Sequence, residues 1–146
     1  MGAEYANAES ENNQGNDCFK RGLFEDACAH YSRAIALVVE GEDEVLVKAV
    51  NNRAMASLKL EQYEDCIEDC SFVLETLPHH QKALYRRATA LKKLGLYDEA
   101  YTDFTVLAAL GGREGHAGLA ALEAMGYVDP LGAEAAEDGG SESSGE

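Results

Sequence analysis

Three pairs of polar residues, each four apart, could do chemistry together: Asn12 with Asn16, Lys48 with Asn52, and Lys82 with Arg86. A four-residue spacing puts both members of a pair on one face of a helix. Asparagine offers directional amide donors, and lysine and arginine offer charge-assisted ones. Converging on one place, these side chains would hold a pair of carboxylates. The third pair lies in QKALYRRATALKKLG, from Gln81 to Gly95, which holds Lys82, Arg86, Arg87, Lys92 and Lys93 and no acidic residue. The whole chain has 27 acidic residues against 12 Lys plus Arg, a net charge of −15. Five cations gathered in so acidic a chain repel one another unless something negative is meant to sit there.

Other chemistries have less support. Cys66 and Cys70 are spaced as two metal ligands could be, but they fall on an apolar helical stripe, so core packing is the expected role and no metal site is assigned. His79 and His80 stand beside Pro78, far from His30 and His116, and make no ligand set. There is no nucleophile motif and no phosphate-binding glycine loop, so neither catalytic residues nor a cofactor is expected, and the chain does not read as an enzyme. The negative charge argues against a nucleic-acid partner. No apolar run reaches the length of a membrane span. Cys18, Cys28, Cys66 and Cys70 sit inside helical patterns with no leader before them, which predicts free thiols in a reducing compartment.

The elements that must position the polar pairs are all helical. Phe24, Ala27, Cys28, Tyr31, Ala34, Ile35 and Val38 recur at spacings of three and four. Tyr63, Cys66, Ile67, Cys70, Val73 and Leu74 repeat the stripe, and Tyr97, Ala100, Tyr101, Phe104 and Leu107 do so again. Another helical stretch precedes each, at about 7–21, 45–60 and 80–94. Gly22 and Gly95 can close the turns at positive φ, and Glu61-Gln62 replaces glycine in the middle turn. Aligned, the units place small residues at Gly15, Ala54 and Ala88 and aromatics at Phe24, Tyr63 and Tyr97, with offsets of 39 and 34 residues.

The second offset is the tetratricopeptide period. The first carries five extra residues around VVEGEDEV, read as one more helical turn and a loop. The chain thus resembles a three-repeat tetratricopeptide (TPR) domain, which implies an all-α, right-handed superhelix of helix-turn-helix repeats. A stacked array needs a cap. A helix over about 114–125 supplies one, with Leu119, Leu122 and Met125 as its seam. The domain is expected over 7–127, after a flexible N-terminus at 1–6 and before a disordered acidic tail at 128–146. Residues 45–60 and 79–94 carry Lys48, Arg53, Lys59 and the five later cations, eight positive charges with no Asp or Glu. On the inner helices these predict a basic groove inside an acidic shell.

The segments QGND, NNRA and KALYRRA resemble the carboxylate-clamp subclass of co-chaperone TPR domains. That resemblance implies an adaptor for the acidic C-terminal tails of heat-shock chaperones of the ninety- and seventy-kilodalton classes. It implies clamp roles for Asn16, Asn52, Lys82 and Arg86, which match the family pattern position by position. Asn12 departs from it, standing where the pattern has Lys or Arg. Asn12, Lys20, Lys48 and Lys59 are expected to support the groove. The implied protein is a cytoplasmic monomer, with the nucleus as a second compartment, and a piece of a larger co-chaperone fits its bare tail. The rival reading is a TPR scaffold in another assembly, holding a different acidic segment or a helix.

Overall fold

A computed structural model describes residues 6–129. Among them are seven helices: α1 (Ala8–Lys20), α2 (Phe24–Leu37), α3 (Asp43–Lys59), α4 (Tyr63–Thr76), α5 (Gln81–Lys93), α6 (Tyr97–Ala109) and α7 (Arg113–Ala124). Each packs on the next in the chain, and α1 also touches α3 as α3 touches α5. These two extra contacts make α1, α3 and α5 one inner row, and the stack is a helical-repeat superhelix. The expected N-terminal segment and acidic tail, 1–6 and 128–146, fall almost wholly outside the described residues.

Local chemistry sets the helix ends. Asn7 and Ser10 form a capping box on α1, Ser10 N–H donating to Asn7 Oδ1 at 2.8 Å and Asn7 N–H to Ser10 Oγ at 3.0 Å. Gly22 and Gly95 end α1 and α5 at φ 79° and 80°. Glu61 takes the same left-handed turn after α3 at φ 61°, where a side chain costs energy that glycine does not. The extra residues of the first repeat go partly into α3, which has 17 residues against 13 in α1 and α5. It begins two residues earlier than expected and takes Asp43 and Glu44 into its first turn, where carboxylates suit the positive helix end. The inner helices are therefore not free of acid.

The apolar stripes meet as expected. Ala27, Tyr31, Cys66, Cys70, Val73, Ala100, Phe104 and Leu107 are buried. Cys66 and Cys70 belong to the core cluster with Val50, Leu74 and Leu84, and the contact with Cys66, together with burial, pushes the Cys70 thiol far up. Gly15 is small because a Cβ there would stand 2.5 Å from the Tyr31 ring. The cap holds a feature the sequence reading passed over. At Gly118 a Cβ would run into the Phe104 ring, and at Gly115 into the Ala108 backbone, so these glycines let α7 lie close on α6. Leu122 is buried in that seam, whereas Met125 is 56% exposed because it follows the last turn of α7 and leaves the seam.

Two charged junctions repeat. Arg53 of α3 donates from Nε and Nη2 to both carboxylate oxygens of Asp69 on α4, at 2.8 and 2.9 Å, and from Nη1 to Ser32 Oγ on α2 at 3.2 Å. Arg87 of α5 does the same with Asp103 on α6, at 2.7 and 2.9 Å, and with Ser71 on α4 at 3.0 Å. Each guanidinium ties its own repeat together and reaches back to the one before. Repeat one inverts the signs: buried Glu11 on α1 accepts from His30 Nδ1 at 2.8 Å and Arg33 Nε at 3.3 Å on α2.

The Glu61 turn predicts that Glu61→Gly will stabilise the fold. Relief of left-handed strain outweighs the added chain entropy by roughly 0.5–1 kcal/mol, a rise of a few degrees in a thermal melt. The Glu11 junction predicts a pH effect. The His30 hydrogen bond, opposed by burial and helped by Arg33, holds the Glu11 carboxyl below its ordinary value of 4.5. Its stabilising contribution is therefore full above pH 4.5 and lost as pH falls through the lowered folded value. Glu11→Gln should be less stable than the parent at pH 7, with a shallower acid loss, both read by urea melts across pH.

Candidate functional site

The inner row positions the site. Asn12, Asn13 and Asn16 of α1, Val47, Lys48, Asn51 and Asn52 of α3, and His80, Gln81 and Lys82 at the start of α5 line one concavity of about 580 Å³. Three helices thus bring together Asn12, Asn16, Lys48, Asn52 and Lys82 as their spacing predicts. Arg86 lines an adjoining hollow with Tyr85, Leu107 and Glu114, and Gln81 and Lys82 border both spaces. Lys20 and Lys59 line neither. They stand in the last turns of α1 and α3, four residues beyond Asn16 and seven beyond Asn52, about 6 and 10 Å further along the helix axes at 1.5 Å per residue.

The asparagines form a network. Asn52 Nδ2 donates to Asn12 Oδ1 at 3.1 Å and to Asn16 Oδ1 at 3.2 Å. Tyr31 O–H donates to the same Asn16 oxygen at 2.7 Å. Burial pushes the Tyr31 pKa up to about 12, so it stays a donor across the working pH range. With its oxygen occupied twice, Asn16 keeps its NH₂ as the end that can donate to a ligand. Asn12 is only 6% exposed and sits under this network. It is therefore a structural acceptor at the position where the pattern has Lys or Arg.

The cations divide into two classes. Arg53 and Arg87, counted among the groove charges on sequence grounds, are committed to Asp69 and Asp103. Those hydrogen bonds hold both guanidiniums above their ordinary pKa, so neither is available to a ligand. Lys48 and Lys82 are exposed and make no ion pair among the described residues. Arg86 is half-buried and is also unmatched by any carboxylate there. Its Nη1 donates to the Asn51 carbonyl at 3.3 Å, and burial pushes its pKa down. A half-buried guanidinium without an acidic partner is a strong attractor for an anion. The groove is thus an amide-rich floor with three cations on the α3 and α5 side, narrower in charge than the eight expected.

Asn13, Asn51 and Gln81 were not named as groove residues on sequence grounds, and His80 was weighed there only as a metal ligand and set aside. The doubled asparagine of NNRA and the position of His80 two residues before Lys82 were the available signals. Among the described residues no group of three or more His, Cys, Asp or Glu could hold a metal ion, and no helix is long and apolar enough to cross a membrane.

Comparison with known proteins agrees with this geometry. No protein-family model matches the chain. Sperm-associated antigen 1A of Danio rerio is 43% identical over 99 residues, covering 65% of this chain, which spans 23% of that protein. The second TPR of Spaghetti (RPAP3), solved bound to the HSP90 peptide SRMEEVD, superposes with a TM-score of 0.64 at 38% identity, over 70% of this chain and 91% of that one. The second TPR domain of human RPAP3, solved with the HSP70 peptide SGPTIEEVD, superposes with a TM-score of 0.69 at 36% identity, over 80% and 94% of the two chains. With relatives this similar matched over more than nine-tenths of their length, the chain belongs to the tetratricopeptide repeat family, in its carboxylate-clamp subclass.

Proposed function

We propose that this chain is a co-chaperone adaptor that holds the acidic C-terminal tail of a heat-shock chaperone of the ninety- or seventy-kilodalton class. The observation that carries the reading is the exposed, unpaired Lys82, opening on asparagines of two other helices, with Arg86 in the adjoining hollow that Lys82 also borders. Asn16 holds the terminal carboxylate through its free NH₂, and Asn52 joins it by turning one N–H away from Asn12 or Asn16. Lys82 and Arg86 hold the adjacent acidic side chain, and Lys48 adds to the field. An extended peptide fits this open groove better than a compact metabolite would. The role is binding without catalysis, in the cytoplasm where such chaperones work. The peptides held by the two RPAP3 structures, each ending in Glu-Glu-Val-Asp, support the choice of ligand.

Lys82→Ala and Arg86→Ala should each weaken binding of SRMEEVD about 10- to 100-fold, the worth of a charge-assisted hydrogen bond. Lys82 is exposed, so helicity should not change in that variant. Amidating the peptide C-terminus should have a similar effect. Calorimetric titration measures all three. Full affinity with the amidated peptide would point instead to an internal acidic segment as the ligand.

Asn12→Lys should tighten peptide binding severalfold at low salt. The long side chain can carry its ammonium out of the buried position into the groove, at the uncharged α1 end. The gain should shrink between about 50 and 500 mM salt, as the Debye length falls well below roughly 10 Å. Weaker binding at low salt would show that the lost Asn12–Asn52 hydrogen bond outweighs the added charge.

A further inference from the structure

His80 occupies the N-cap of α5 and lines the same concavity as Asn16, Asn52, Lys48 and Lys82. Its Nδ1 accepts the backbone N–H of Ala83 at 3.2 Å. A nitrogen that accepts this bond carries no proton, so the neutral ring has its proton on Nε2. Protonating Nδ1 would set N–H against N–H and remove the cap, so the cap and a charged ring exclude each other. Burial first, and then the nearby Arg86 and Lys82, push the His80 pKa below its ordinary value, in agreement with a neutral ring. The charged groups facing it are Lys82 and Arg86 on its own helix and Lys48 across the groove from α3, and no carboxylate lines this concavity. Among the described residues the ring N–H finds no acceptor, although its other nitrogen is fixed.

We infer that His80 is a further ligand-holding residue of the groove, with Nε2–H donating to a carboxylate of the bound acidic peptide. This rests on the adaptor reading above. The cap aims the donor: because Nδ1 is tied to the first turn of α5, the ring cannot turn away, and little freedom is lost when a ligand arrives. The ring adds a neutral donor near Lys82 and Arg86, where a further charge would add repulsion.

The test uses the full chain and the peptide SRMEEVD. His80→Asn keeps a good N-cap acceptor but removes the ring donor. It should bind about 5- to 20-fold more weakly, with an unchanged melting temperature. In the parent, long-range proton–nitrogen spectra should show the Nε2–H tautomer of His80, and its Nε2 resonance should move on saturation with peptide. The exposed His79 serves as the internal reference. Parent-like affinity in His80→Asn, with Lys82→Ala still impaired, would overturn the inference and leave the adaptor reading standing. An Nε2 resonance unmoved at saturation would overturn it even if His80→Asn fails to fold. A parent chain that does not bind the peptide would overturn both.

Discussion

The structure depends on the two guanidiniums of Arg53 and Arg87. Each is held in two parallel hydrogen bonds by an aspartate that is nearly buried, Asp69 at 6% and Asp103 at 4% exposure. A buried ion pair adds little net stability over a well-packed apolar pair, but one partner without the other costs about 3–5 kcal/mol. The junction therefore penalises misalignment more than it rewards formation. Its consequence reaches the site through adjacency in sequence. Arg53 follows Asn52 and Arg87 follows Arg86, and successive helical residues point about 100° apart, as 3.6 residues per turn requires. Fixing Arg53 and Arg87 toward the outer helices fixes the rotation of α3 and α5, and so turns Asn52 and Arg86 inward.

The first repeat reaches the same result by other means. At the positions corresponding to Arg53 and Asp69 it has Gln14 and His30, and no guanidinium ties α1 to α2 from the inner side. Glu11, His30 and Arg33 form the charged contact with the signs exchanged. The rotation of α1 is set by Gly15 and Asn16 against Tyr31: the ring lies where a Cβ of residue 15 would be, and the hydroxyl binds the next side chain. A packing contact and a hydrogen bond to one tyrosine thus do for α1 what an ion pair does for α3 and α5. In all three inner helices the residue next to an inward-facing polar one is the one that orients it.

Much of this was legible in the sequence. Helix number, turn positions, core stripes and the convergence of Asn12, Asn16, Lys48, Asn52 and Lys82 all follow from periods of about 3.6 and 34 residues, because those periods are imposed by helix geometry and repeat stacking. Charge assignment was less legible. Summing charges along α3 and α5 counted Arg53 and Arg87 as groove cations, because a sum along a helix ignores the direction in which each side chain leaves it. The missing signal was in the same 34-residue offset: Arg53 recurs at Arg87 and Asp69 at Asp103, a repeated opposite-charge pair between neighbouring helices. Lys20 and Lys59 failed for an axial reason, lying one and two turns past the clamp positions. His80 was hidden because an N-cap is recognised by its backbone geometry, and histidine is not a usual cap.

The smaller number of available cations changes how such a groove must work. The chain carries a net charge of −15, so Lys48, Lys82 and Arg86 create a positive region only locally. Beyond about 10 Å the field of the whole molecule repels an acidic peptide and salt weakens both effects. Long-range steering is then a poor source of affinity, and the ligand must be held by contacts made after it arrives. The floor suits that requirement. Asn52 and Tyr31 fix Asn16 through its oxygen, so its free NH₂ needs little ordering on binding. Arg86 is already partly stripped of water by burial and has no carboxylate to release first. Under the proposed adaptor role, affinity in this groove resides in preorganised donors at the cost of attraction from a distance, a suitable division for a surface that is to admit one kind of carboxylate terminus while the rest of an acidic molecule turns acidic chains away.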